Sequence, residues 1–158
     1  MKSRIFVDSI EALEHTYHEL IPISRALGIR VLAYPGDRLT ITAPLSNNIN
    51  HQLSAFGGSL FSVAVLAGWG LMQLKLSELD LDCNTVIAGG EVSYQKPVYS
   101  DLTCTCQLPP DFDSVIQRAT ETGSARTAMT STFYCEDTDS EQQIAMQFDG
   151  RYHLRRRS

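Results

Sequence analysis

Hydrophobic and polar positions change period several times along this chain. Ile10, Leu13, Tyr17, Leu20 and Ile21 recur at helical spacing, and Asp8 followed by Glu11 resembles a capping box, which predicts an amphipathic helix over about 9–20. Pro22 opens a second short turn that Gly28 ends. The pattern then shifts to alternation. Leu39, Ile41 and Ala43 interleave with Thr40 and Thr42, so 29–34 and 38–44 read as two strands, with Pro35-Gly36 at the centre of a type II turn. From Leu60 to Leu74 the chain has almost no polar face. A helix over about 57–75 follows, apolar all round and therefore buried all round. The apolar stretch 60–74 is shorter than a membrane span and is broken by glycine and serine, so no membrane partner is expected.

Past a polar connection at Glu78, Asp80 and Asp82, residues 85–98 and 101–108 read as strands joined by a tight turn near Tyr99-Ser100-Asp101. Phe112, Val115, Ile116 and Ala119 give a helix over 111–122 with Gly123 as its cap, and 124–136 with 142–153 form a hairpin across Asp137-Thr138-Asp139. These elements make one α+β domain over 1–158: a helical segment at 1–28 and a core at 29–153, in which a curved antiparallel sheet of about six strands wraps the apolar helix. A partner subunit is expected to close what the sheet leaves open.

Composition alters this picture little. The chain is 43% hydrophobic and 20% charged with a net charge of −5, which gives a nucleic-acid partner no electrostatic support. Arg155, Arg156 and Arg157 read as a solvated basic terminus, with docking of an acidic carrier protein as the sharper alternative. The opening MKSRIFVDSIEALEH turns charged at once, unlike a secretory signal. Cys104 and Cys106 share one face of a strand, and no second pair has zinc-ligand spacing. With Cys83 and Cys135 they are expected to be reduced and mostly buried in a cytoplasmic protein without a metal.

Candidate chemistry concentrates in SNNINHQLSAFGG, residues 46–58. Asn48, Asn50 and His51 precede Gly57 and Gly58, which start the apolar helix, and Ser54 is the expected helix cap. A helix that starts on glycines presents free backbone N–H groups and partial positive charge, which suits an oxyanion or a polarised carbonyl. For the asparagines, ordinary turn and capping chemistry is the alternative.

The pattern Asn50-x-x-x-Ser54-x-Phe56-Gly57-Gly58 resembles the N-x-x-G-[TS]-x-H-G-G signature of hotdog-fold thioesterases. The segments Val92–Val98 and Asp101–Thr103 resemble that fold's strand pair, and AFGGSLFSVAVLAGWGL is most similar to the YiiD C-terminal-type hotdog family. The resemblance runs over about 20–153. It implies a dimer or dimer of dimers with sheets joined edge to edge, and acyl thioesters of coenzyme A or acyl carrier protein bound at the subunit boundary. No separate cofactor is implied, because the substrate brings its own phosphopantetheine. The Gly57 N–H would polarise the thioester carbonyl, and Asn50 would hold substrate or water opposite it. Phe56, Phe61, Val65 and Trp69 would line the acyl site.

The chain departs from this pattern at two places. Phe56 stands where many relatives have His, and Val65 stands where thioesterases of this type place Asp or Glu, eight residues beyond the first glycine. No carboxylate lies between Gly57 and Glu78, so the helix offers neither a base nor a carboxylate nucleophile for hydrolysis. Decarboxylation of a malonyl thioester needs only the oxyanion hole. Its enolate charge lands on the thioester oxygen at Gly57 and Gly58, Asn50 or Asn48 orients the leaving carboxylate, and water or His51 supplies a proton. Members of the resembled group are associated with this reaction. Two other readings stay open: a thioesterase using Glu91 or Asp101 as base, and an acyl-thioester binder without catalysis.

Overall fold

The computed structural model describes residues 4–136 and 139–157. The first helix, α1 (Ile10–Leu20), is capped by Ser9, whose extended backbone lets Oγ accept the Ala12 N–H at 3.1 Å. Ser9 therefore displaces Asp8 as the cap, since it is the residue whose side chain reaches the third helical N–H. A short α2 (Ile23–Leu27) follows between Pro22 and Gly28, which closes it at φ 76°. The hairpin of β1 (Arg30–Ala33) and β2 (Arg38–Ala43) turns through Gly36 at φ 116°. Beyond a 3-10 turn at Leu45–Asn47 comes α3 (Gly57–Glu78), then β3 (Cys83–Tyr94), β4 (Leu102–Gln107), α4 (Phe112–Thr122), β5 (Ser124–Glu136) and β6 (Gln142–Arg156). The expected turn residues Asp137 and Thr138 lie outside the described residues.

All six strands form one antiparallel sheet in the order β1-β2-β4-β5-β6-β3. The two strands expected to be joined by a tight turn are not neighbours: β4 lies between β2 and β5, and β3 pairs with β6 at the far edge. The intervening segment is a crossing rather than a hairpin. Gln95 and Lys96 both donate their N–H to Ala145 O, Val98 is buried, and its carbonyl accepts the Ala55 N–H at 2.8 Å. Pro97, with no N–H to give a ladder, marks where β3 pairing stops.

Helix α3 packs against β2, β3, β4, β5 and β6. Its 22 residues span about 33 Å. In length and composition it would suit a membrane span, and 72% of its most apolar window is buried inside this fold. Leu60, Val63, Ala64, Ala67, Leu71, Met72 and Leu74 form its core face. Midway along it, three buried hydroxyls dock onto consecutive carbonyls: Ser131 onto Ala64 O at 3.0 Å, Tyr152 onto Val65 O at 3.3 Å and Tyr17 onto Leu66 O at 2.6 Å. Gly68 and Gly70 make room for this, since a Cβ at Gly68 would overlap the Tyr152 hydroxyl and one at Gly70 the Tyr17 hydroxyl. Cys104 and Cys106, both fully buried on one face of β4, lie close to the same tyrosines. Burial drives the Cys104 thiol well above its ordinary value and pushes Cys106 up to about 11, against a smaller opposing pull from Ser131. All four cysteines are free, three of them buried.

The pairing of β3 with β6 shifts register between Ile87 and Gly89. Ile87 lies opposite Tyr152, whereas Tyr94 lies opposite Met146, and both of those β6 residues are buried on the helix side. The bulge at Ala88 thus changes which β3 residues face α3, from odd-numbered ones before it to even-numbered ones after it.

Candidate functional site

The approach to α3 is a tight polar loop. Asn50 closes it on itself: Oδ1 accepts the N–H groups of Gln52 (2.8 Å) and Ser54 (3.2 Å), and Nδ2 donates to Ser54 Oγ (3.0 Å). An Ile49–Ala55 bridge and Leu53 at φ 63° complete the turn. Asn48 is buried and pins the loop to the preceding helix. Its Nδ2 donates to Leu27 O and Pro44 O, both at 2.8 Å, and its own carbonyl accepts the Phe56 N–H at 2.7 Å. Asn48 Oδ1 is buried with no hydrogen-bond partner. His51 is exposed on the outside of the turn.

Ser54 is not the helix cap. Its hydroxyl is held by Asn50, two residues before the capping position, which falls to Phe56 without any side-chain bond. The N–H groups of Gly57, Gly58 and Ser59 consequently have no acceptor among the described residues, and the first ladder bond runs from Leu60 N to Phe56 O at 3.1 Å. Two aromatic rings flank this uncapped turn. A Cβ on Gly58 would overlap the Phe56 ring, and one on Gly57 would come within 3.4 Å of the Tyr94 ring. Tyr94 also donates its hydroxyl to Gly57 O at 2.8 Å, and Ser62 donates Oγ to Gly58 O at 2.9 Å. Partial burial raises the Tyr94 phenol above its ordinary value, so it remains a donor at neutral pH.

Of the four apolar residues expected at the acyl site, Phe61, Val65 and Trp69 share one face of α3, whereas Phe56 stands at the capping position of the helix. Phe61, Val65 and Trp69 line a groove of roughly 300 Å³ together with Ile21, Ile23 and Ile87. Phe61 packs edge-on to Phe148 at 5.1 Å between ring centroids, and Trp69 lies 5.8 Å from Tyr17. This face is the part of α3 that the sheet leaves uncovered, with Phe61 38% exposed. Glu91 is exposed opposite Asp149. Asp101 accepts the Leu45 N–H at 2.9 Å. Among the described residues, neither carboxylate makes a hydrogen bond to the glycine turn.

Sequence reasoning missed Tyr94, Ile21, Ile23 and Ile87. The alternation of Val92 and Tyr94 was visible, but the bulge that aims Tyr94 at the helix had no sequence marker beyond Gly89-Gly90. Ile21 and Ile23 flank Pro22 in the link between two helices, where spacing gives no direction.

The family model described as "Putative thioesterase (yiiD_Cterm)" matches residues 10–156. A crystal structure of a protein of unknown function from Chlorobaculum tepidum TLS is similar at 31% identity and a TM-score of 0.86, over 93% of this chain and 94% of that one. The "putative thioesterase" from Shewanella oneidensis is 30% identical with a TM-score of 0.80, over 94% and 97% of the two chains. A Pseudomonas aeruginosa protein at 19% identity shares the fold with a TM-score of 0.79, over 98% and 100%.

Proposed function

Because the chain belongs to the YiiD C-terminal family of hotdog-fold, thioesterase-type acyl-thioester proteins, we propose that it decarboxylates a malonyl thioester to the acetyl thioester. The observation that carries this reading is the uncapped glycine turn, whose three N–H groups have no acceptor among the described residues, on a helix with Val65 in its groove face and no carboxylate between Gly57 and Glu78. The thioester oxygen binds at the Gly57 and Gly58 N–H groups. The bond between the α-carbon and the carboxylate breaks, its electron pair moves into the enolate, and the charge settles on that oxygen as carbon dioxide leaves. A proton from water or from exposed His51 then reaches the α-carbon. A preorganised donor of this kind contributes about 3 kcal/mol to such a step. The apolar wall of Phe61 and Val65 favours loss of charge from the carboxylate, because an unpaired charge is costly there. The thioester arrives on coenzyme A or acyl carrier protein, and the protein works as a homodimer or dimer of dimers.

Thioester hydrolysis is the second reading. The roughly 300 Å³ apolar groove offers more room than a malonyl group needs and suits a longer acyl chain. Incubation with malonyl and long-chain acyl thioesters, followed by mass spectrometry of the acyl carrier, separates the two. Loss of carbon dioxide from the malonyl carrier is expected. An intact malonyl carrier beside free thiol from the acyl carrier would establish hydrolysis instead. In the same assay an Asn50→Ala variant with unchanged turnover removes Asn50 from the reaction and leaves it as a loop residue.

A further inference from the structure

The hydroxyl of Tyr94 serves a carbonyl that needs no further partner. Gly57 O already stands in the hydrogen-bond ladder of α3, yet a half-exposed tyrosine from the sheet edge is held 2.8 Å from it. The peptide that carries Gly57 O is the one that carries the Gly58 N–H. That N–H is one of the three without an acceptor. A hydrogen bond accepted at one end of a peptide makes the N–H at its other end a stronger donor and fixes the plane in which it points.

We propose that Tyr94 is a positioning residue, acting through the Gly57–Gly58 peptide to orient and strengthen the Gly58 N–H as an oxyanion donor. This rests on the acyl-thioester reading given above. Ser62 does the same from within the helix for the next peptide, through Gly58 O to the Ser59 N–H. The Tyr94 ring lies against Gly57 and the Phe56 ring against Gly58, so the exposed turn is flanked by two aromatic rings. The enolate charge then meets donors already aligned. The bulge at Ala88 is what lets Tyr94, of opposite parity to Ile87, face the helix.

Tyr94→Phe keeps the ring and removes only the hydroxyl. Strengthening of roughly 10–30% per cooperative bond, in a donor worth about 10²–10³ in rate, predicts a drop in kcat of about two- to eightfold. KM and the melting temperature stay at their wild-type values. 3-Fluorotyrosine at position 94, a stronger donor, restores kcat to the wild-type level or above. The Gly58 amide proton, followed by NMR without substrate, moves upfield in Tyr94→Phe. Tyr99→Phe, at an exposed tyrosine elsewhere, serves as the control and leaves kcat and the Gly58 signal unchanged. An unmoved Gly58 amide overturns the proposal, as does a wild-type kcat in Tyr94→Phe. So does a fall in kcat matched by a fall in melting temperature. If wild-type protein processes neither malonyl nor acyl thioesters, the reaction assignment fails, and the Gly58 shift still decides whether Tyr94 is coupled to that peptide.

Discussion

Helix α3 carries two pairs of glycines, and they do opposite things. Gly68 and Gly70 lie in its buried middle, and Gly57 and Gly58 at its exposed start. Each pair lets an aromatic side chain approach the helix backbone more closely than a Cβ would allow. In the middle, the arriving hydroxyls of Tyr17 and Tyr152 join Ser131 on carbonyls 64 to 66, so backbone polarity is consumed and the helix is locked to the sheet. At the start, the aromatic rings flank the backbone without satisfying its N–H groups. The same residue type at the same kind of contact thus gives anchorage in one place and N–H groups without acceptors in the other. What separates them is whether the nearest side chains have donors or acceptors to offer. Carbonyls keep a second lone pair for a hydroxyl, whereas an unpaired N–H is met only by an acceptor, and the loop acceptor Asn50 Oδ1 is spent on the Gln52 and Ser54 N–H groups.

Gly70→Ala attacks the buried pair and carries the largest expected effect. The new methyl overlaps the hydroxyl of fully buried Tyr17 and presses on Leu39, so urea denaturation should show a loss of about 3 kcal/mol. Gly58→Ala probes the other pair and should reverse the pattern. Phe56 is 55% exposed and can swing away, and alanine gains roughly 1 kcal/mol in helix propensity over glycine, so stability holds or rises. Thioester turnover should nevertheless fall about tenfold or more as the methyl enters the space beside the free N–H groups. Equal losses of stability in both variants would erase the distinction between the pairs.

The smallest effect is a dependence on pH to which the buried middle contributes most directly through Cys106. The Cys106 thiol is raised from 9.0 to about 11 by desolvation, and Cys104 and Tyr17 are raised as well. Folded protein therefore holds protons that the unfolded chain releases above pH 9. The stabilisation is complete below that value and is lost as pH climbs through about 11. At pH 10 the Cys106 share is about 1 kcal/mol. Melting curves between pH 8 and 11 should show the decline, and Cys106→Ala should flatten it.

Much of this was legible in the amino-acid order because it was carried by local pattern. The apolar run from Leu60 to Leu74 could only be a core helix, and Gly28 and Gly123 marked helix ends that the backbone bears out at φ 76° and 77°. The hotdog architecture came from the resemblance carried by the glycine-led helix and its flanking motif. What local pattern could not convey was pairing between distant strands. Nothing in residues 95–101 distinguishes a hairpin turn from a crossing, since both use proline, serine and aspartate. The cap was misread for a related reason, because Ser54 has a cap's chemistry and only its bond to Asn50 reveals that it is spent. Phe61, Val65 and Trp69 were placed together by the resemblance, and the three do share a groove. Tyr94 escaped notice because a strand read with strict alternation from Thr85 and Ile87 sends it to solvent.

That last point gives the bulge at Ala88 a wider meaning. A strand without it can serve the helix side with odd residues or with even ones, but not with both. This one delivers Ile87 to the groove wall and Tyr94 to the helix tip, two tasks of opposite parity on one edge. The extra residue is therefore a phase shift, and the strand behaves as two short instruments played in different keys. Removing a single residue there would leave every side chain downstream chemically intact and aim each of them the wrong way. In this chain the length of β3 thus decides where its side chains point as much as their identity decides what they are.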